Sequence, residues 1–170
     1  TLTQNEMTVT RLWVDGQFAE VTGTGYVPRG DFKVGNKDVA ISDYPGMLSL
    51  LWLGALNNDA QLETTGVADE GQTFRVVGDP TEGALVVAAA KAGLAKRELD
   101  EAMPRTAEIP FTSETKRMTT LHRTPAGTLA CSKGAPELIL ATCTQQVTAG
   151  GEAPLDAAGR ETIMTAARDM

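Results

Sequence analysis

Hydrophobic and polar positions along the chain change period several times, and each change marks an element. In "MTVTRLWVDGQFAEV" two β-rich runs flank Asp15-Gly16, a dipeptide that favours tight hairpin turns, so a hairpin is expected there. "TGTGYVPRGDFKVGNKD" carries glycines and a proline at short intervals and reads as an irregular surface loop. From Ser42 to Asn58 the period becomes helical, with Leu48, Leu51, Trp52 and Ala55 on one stripe. The stretch "NNDAQLETTGVADEGQTFRVVG" returns to turns and short extended pieces.

"GDPTEGALVVAAAKAGL" contains the best-marked helix start. Asp79 is placed to cap it, Pro80 suits the first helical position, and Glu82 follows Asp79 by three residues as in a capping box. Gly93 marks a stop. "AKRELDEAMP" reads as a short polar helix or loop. The extended runs "RTAEIPF", "KRMTTLHR" and "GTLACSKG", the last two joined by "TPAG", form an antiparallel meander. Lys133 and Gly134 close the last strand, and Ala135 to Ala141 open a helix with Pro136 in its first turn. That junction offers an ammonium, a residue without a side chain and unpaired helical N–H groups, a combination suited to a flat or anionic ligand, although a lone Lys-Gly is more commonly a solvated strand end.

Composition narrows the function classes. The 170 residues fit one domain with a real core, and nothing long enough to be a linker divides them. Two cysteines, Cys131 and Cys143, and a single histidine, His122, supply neither a disulfide framework nor a four-ligand metal site. The longest apolar stretch, Gly46 to Leu56, is well short of the roughly 20 residues of a membrane-spanning helix, and no secretory leader pattern opens the sequence. A soluble domain in a reducing compartment is expected. The formal charge of −7 argues against nucleic acid or an anionic membrane surface as partner.

Five motifs in order carry a more specific reading: "TLTQNEMTV" at the start, "ALNND" at 55–59, "GDPTEGAL" at 78–85, "IPFTSETKRM" at 109–118 and "CSKGAPE" at 131–137. Together they resemble the nucleotide-binding domain of P-type cation-transporting ATPases, most of all the type II branch of calcium and sodium/potassium pumps. The resemblance runs from Thr1 to about Cys143. It implies an α/β (α+β) fold with a mainly antiparallel sheet of about six strands flanked by helices. It also implies that residues 1–170 are a single nucleotide-binding domain whose final strand lies beyond "AARDM".

In that family an aspartate in Asp-Lys-Thr-Gly-Thr-Leu-Thr is phosphorylated by ATP, and "TLT" here resembles the end of that motif. The nucleophile would then lie upstream of residue 1, leaving no catalytic residue in the chain. The resemblance implies that Phe111 stacks on adenine, Glu82 meets its amino group, Lys116 and Met118 line the pocket, and Lys133 with Gly134 form its floor. Implied partners are ATP, Mg²⁺ with the nucleotide, and the phosphorylation and actuator domains of a membrane pump, the chain itself being a cytoplasmic domain. No metal ligand within the chain is implied. One departure stands out: many calcium pumps have a phosphate-contacting arginine where this chain has Ser113.

Two other classes stay in view. A self-sufficient kinase or phosphohydrolase would need its own phosphate loop, and no Gly-x-x-x-x-Gly-Lys followed by Ser or Thr occurs. An interaction module that keeps the fold without nucleotide binding is the alternative that Ser113 favours.

Overall fold

The computed structural model describes residues 6–68 and 71–170. The "TLT" at residues 1–3 lies outside them. Strands β1 (Arg11–Val14) and β2 (Gln17–Val21) form the expected hairpin, with Asp15 at φ 50° and Gly16 at φ 73°. Positive φ at both central residues matches the right-handed twist of the flanking strands, which is why this dipeptide sits at the turn. The same device recurs at Gly35-Asn36, φ 56° and 64°, between β3 (Phe32–Val34) and β4 (Lys37–Val39). These two strands replace part of the expected irregular loop and complete a four-stranded sheet in the order β1-β2-β3-β4.

A 3₁₀ turn over Ile41–Asp43 leads into helix α1 (Pro45–Leu56), shorter at both ends than the helical period indicates. Its buried residues are Met47, Leu51, Ala55 and Leu56, while Leu48 packs at the core margin and Trp52 is half-buried. Leu12, Ala19, Val21 and Phe32 from the sheet, Met47, Leu51 and Ala55 from α1, and Ala88 and Ala89 from α2 (Pro80–Lys91) make one cluster. Each large apolar side chain buried there contributes about 1.5–3 kcal/mol. The small residues of α2 let it lie close to α1, and a short third helix, α3 (Lys96–Ala102), follows it.

Between α1 and α2 stands a long hairpin, β5 (Gln61–Ala68) and β6 (Gly71–Val77), where only short extended pieces are legible in the sequence. The meander is present as β7 (Arg105–Ile109), β8 (Arg117–Thr124) and β9 (Gly127–Gly134), with Met118 opposite Lys133 and Thr120 opposite Cys131. His122 is fully buried in β8. Its Nδ1 donates to the Met103 carbonyl at 2.9 Å and its Nε2 lies 2.8 Å from the Thr120 hydroxyl, so it is a satisfied core residue. Helix α4 (Pro136–Leu140), the hairpin β10 (Gln145–Thr148) and β11 (Gly151–Pro154), and helix α5 (Ala157–Asp169) complete the described chain.

The fold is α+β with every strand pairing antiparallel, as expected. The strands number eleven among the described residues, shared among four separately bonded sheets rather than about six in one.

Candidate functional site

The first turn of α2 is fixed by Asp79, whose carboxylate accepts from the backbone N–H of Thr81 at 2.8 Å and of Glu82 at 3.2 Å. The Glu82 hydrogen bond is the main reason its carboxyl pKa lies below the ordinary value. The reciprocal half of a capping box does not form. Glu82 turns its carboxylate away from the helix, with Oε2 accepting from the Asp59 N–H at 3.0 Å and Oε1 lying 2.6 Å from the Lys133 ammonium. The helix start is satisfied by Asp79, which frees Glu82 for a tertiary contact 51 residues along the chain.

Lys133 projects from the end of β9 to the C-terminal corner of α1. Its Nζ donates to the Asn57 carbonyl at 2.5 Å as well as to Glu82. Carbonyls at a helix C-terminus lack intrahelical donors and carry partial negative charge, so a lysine is well placed there. The ammonium is therefore paired rather than offered free at a cleft mouth, and Gly134 beside it has a structural duty. A Cβ at Gly134 would stand 2.2 Å from the Lys116 carbonyl oxygen and 2.8 Å from the Arg117 Cα. The glycine lets β9 approach β8 where Ala135 donates to the same Lys116 carbonyl at 3.0 Å.

These groups meet in one cleft of about 650 Å³. Asp59 from the α1 corner, Asp79, Thr81, Glu82 and Leu85 from α2, Pro110 and Phe111 after β7, and Met118, Lys133 and Gly134 from the meander line it. Phe111 is 60% exposed, so it is a platform facing solvent and not a core residue, whereas Met118 is buried. Of the six residues singled out from the sequence, five line this cleft. Lys116 does not; it is exposed at φ 45° in the turn where its N–H bonds to the Thr112 carbonyl. Three carboxylates face one ammonium across the lining, so the cleft itself is acidic.

No individual role for Asn57, Asn58, Asp59 or Arg105 is legible from sequence alone. Asn57 is buried and its Nδ2 donates to the carbonyls of Met118 (3.1 Å) and Cys131 (2.8 Å), tying α1 to both strands below the cleft. Asn58, also buried, donates to the carbonyls of Gly54 and Glu82 and accepts from the Ala60 N–H. Arg105 bonds Asp59 at 2.6 Å, Glu108 at 2.7 Å and the Asn58 carbonyl at 2.7 Å. Burial pulls the Arg105 pKa down, but its hydrogen bonds to the two carboxylates outweigh this and hold it above the ordinary value. The signal for Asn57, Asn58 and Asp59 was the "ALNND" motif, where two consecutive asparagines end an apolar helix; Arg105 lies outside it.

A platform residue, a fixed acceptor and a fixed donor in one cleft suit a planar ring bearing both donors and acceptors. Residues 47–170 match the family model described as the P-type ATPase, cytoplasmic domain N. The chain belongs to this family and is a cytoplasmic domain of the P-type ATPase class. It is 39% identical to a probable cation-transporting ATPase F of Mycobacterium tuberculosis over 98% of this chain and 18% of the relative. It is 35% identical to a calcium-transporting ATPase of Bacillus subtilis over 82% of this chain and 15% of that protein. The human calcium-transporting ATPase type 2C member 1 is 39% identical over 85% of this chain and 15% of its own length. The chain thus spans less than a fifth of the length of these curated relatives.

Proposed function

We propose that this domain binds the adenosine part of ATP in the cleft and, within a longer cation pump, presents the γ-phosphate to an aspartate carried by a separate phosphorylation domain. The observation that carries this reading is the exposed Phe111 ring lining the same cleft as the Glu82–Lys133 pair. An aromatic face gives a base dispersion and quadrupole contacts regardless of its substituents. Selectivity then falls to Glu82. Each of its oxygens already accepts one hydrogen bond, and each keeps a second lone pair for an amino group such as that of adenine. Lys133 uses two of its three N–H donors inside the protein and retains one for the ligand.

The acidic lining repels a polyphosphate, so in this reading the phosphates and their Mg²⁺ project outward from the cleft. Lys116, in the turn that follows the exposed platform, and Arg117, the first residue of β8, are proposed as their outer contacts. Mg²⁺ supplies charge neutralisation to the transferring phosphoryl group when it accompanies the nucleotide. The domain's own contribution is positioning, and by itself it holds ATP without turning it over. The cation transported, the actuator domain and the membrane segments belong to the proposed parent pump.

The interaction-module reading is favoured by Ser113 and by the excess of carboxylates. Calorimetric titration of the domain with adenosine, AMP, ATP and GTP separates the two. Adenine-nucleotide binding that falls in Phe111→Ala, with ATP preferred to GTP, supports the nucleotide site. Absence of heat with any of the four, in a folded domain, would leave the interaction module.

A further inference from the structure

We propose that Arg105 is a positioning residue for the nucleotide cleft: it clamps the C-terminal corner of α1 and thereby fixes the two groups, Glu82 and Lys133, that would read the base. The proposal rests on the nucleotide reading above. Arg105 is not among the residues lining the cleft, so its effect must pass through the corner it holds.

Three consecutive carbonyls end α1, and two cations from the meander take them all. Arg105 Nη2 donates to the Leu56 carbonyl at 3.4 Å and the Asn58 carbonyl at 2.7 Å, while Lys133 takes the Asn57 carbonyl between them. Arg105 Nη1 bonds Asp59 Oδ1 at 2.6 Å, and the backbone N–H of that same Asp59 is the donor to Glu82 Oε2. One guanidinium thus sets both the carbonyl that receives Lys133 and the peptide that receives Glu82. The planar fork serves two carboxylates and two carbonyls from its two terminal nitrogens, one partner more than the three donors of an ammonium can take. Glu108, three residues along β7, takes the other share of Nη1 at 2.7 Å and holds the fork in plane from the strand side.

Loosening the corner frees Glu82 to rotate without removing it. The consequence falls on base discrimination, while a purely structural arginine would change melting temperature and leave discrimination alone. The domain is compared with Arg105→Met, which keeps the stem, and Arg105→Lys, which keeps the charge but lacks the fork. Melting temperature and the dissociation constants of AMP, ATP and GTP are measured for each.

The expected result is that both variants lose about 3- to 10-fold in AMP and ATP affinity alike, the worth of roughly one weakened hydrogen bond, while GTP changes little and the ATP:GTP ratio falls. Equal losses for AMP and ATP would place the effect at the base rather than the phosphates. If Arg105→Met does not fold, Arg105→Lys decides alone. A folded variant with the parent's ATP:GTP ratio would overturn the positioning role. A parent domain that binds no adenine nucleotide would instead overturn the nucleotide reading on which it rests.

Discussion

Replacing Lys133 by methionine removes an ammonium that satisfies a helix-end carbonyl and a carboxylate together, while keeping the aliphatic stem. The Lys133 and Glu82 side chains are 27% and 17% exposed, between a surface pair and a buried one. Exposed pairs contribute about 0–1 kcal/mol, and breaking a buried pair costs about 3–5 kcal/mol because the remaining charge is stranded. A value near 2 kcal/mol follows for this half-buried pair, and for a domain of this size it lowers the melting temperature by about 4–8 °C. Removing the stranded charge as well, in Lys133→Met with Glu82→Gln, should recover about 1 kcal/mol, so the double-mutant cycle is non-additive. Urea unfolding of the four proteins at neutral pH gives the cycle. A Lys133→Met variant as stable as the parent, with additive behaviour, would show that the pair is a solvated contact and that the site is not preorganised.

Phe111→Ala should weaken AMP and ATP equally, by about 1–3 kcal/mol, with little change in melting temperature because the ring is largely exposed; calorimetry and a thermal scan check both. Gly134→Ala should destabilise by more than about 2 kcal/mol, since its Cβ would meet backbone atoms of the neighbouring strand that cannot move aside; loss of amide protection at the end of β9 reports it. Asp79 has a folded-state pKa below its ordinary 3.8, so its contribution is present above that value and is lost as the pH falls through the lowered one. Asp79→Ala should therefore cost about 1 kcal/mol at neutral pH, with the difference from the parent shrinking in acid unfolding curves below about pH 4.

Local chemistry made much of the fold legible. Asp15-Gly16, the Asp79-Pro80 helix start and the three-strand meander each carry their signal within a few residues, and each is found in place. The β3–β4 hairpin was hidden because its strands are three residues long and its Gly-Asn turn lies in a run already rich in glycine. The β5–β6 hairpin was hidden for another reason. From Glu63 to Val67 every residue of β5 is exposed, so no alternation of buried and open positions marks it.

The cleft was legible as motifs but not as a network. Nothing local tells that Glu82 forgoes the helix cap for Lys133, or that Arg105 finds the end of α1 in space. Those pairings depend on which unsatisfied carbonyls and charges the packing of α1, α2 and the meander brings together.

Adenosine in the cleft between the α1 corner, the start of α2 and the meander should register in the amide NMR spectrum during an AMP titration. Saturable shifts are expected, concentrated at Asp59, Thr81, Glu82, Phe111, Met118, Lys133 and Gly134 and reproduced by ATP with added changes near Lys116 and Arg117. Unmoved amides at these positions under saturating AMP, or shifts confined to Leu12 of β1, Leu50 and Leu53 of α1 and Ile139 of α4 in the adjoining groove that shares Leu85 and Lys133 with the cleft, would contradict that placement of adenosine.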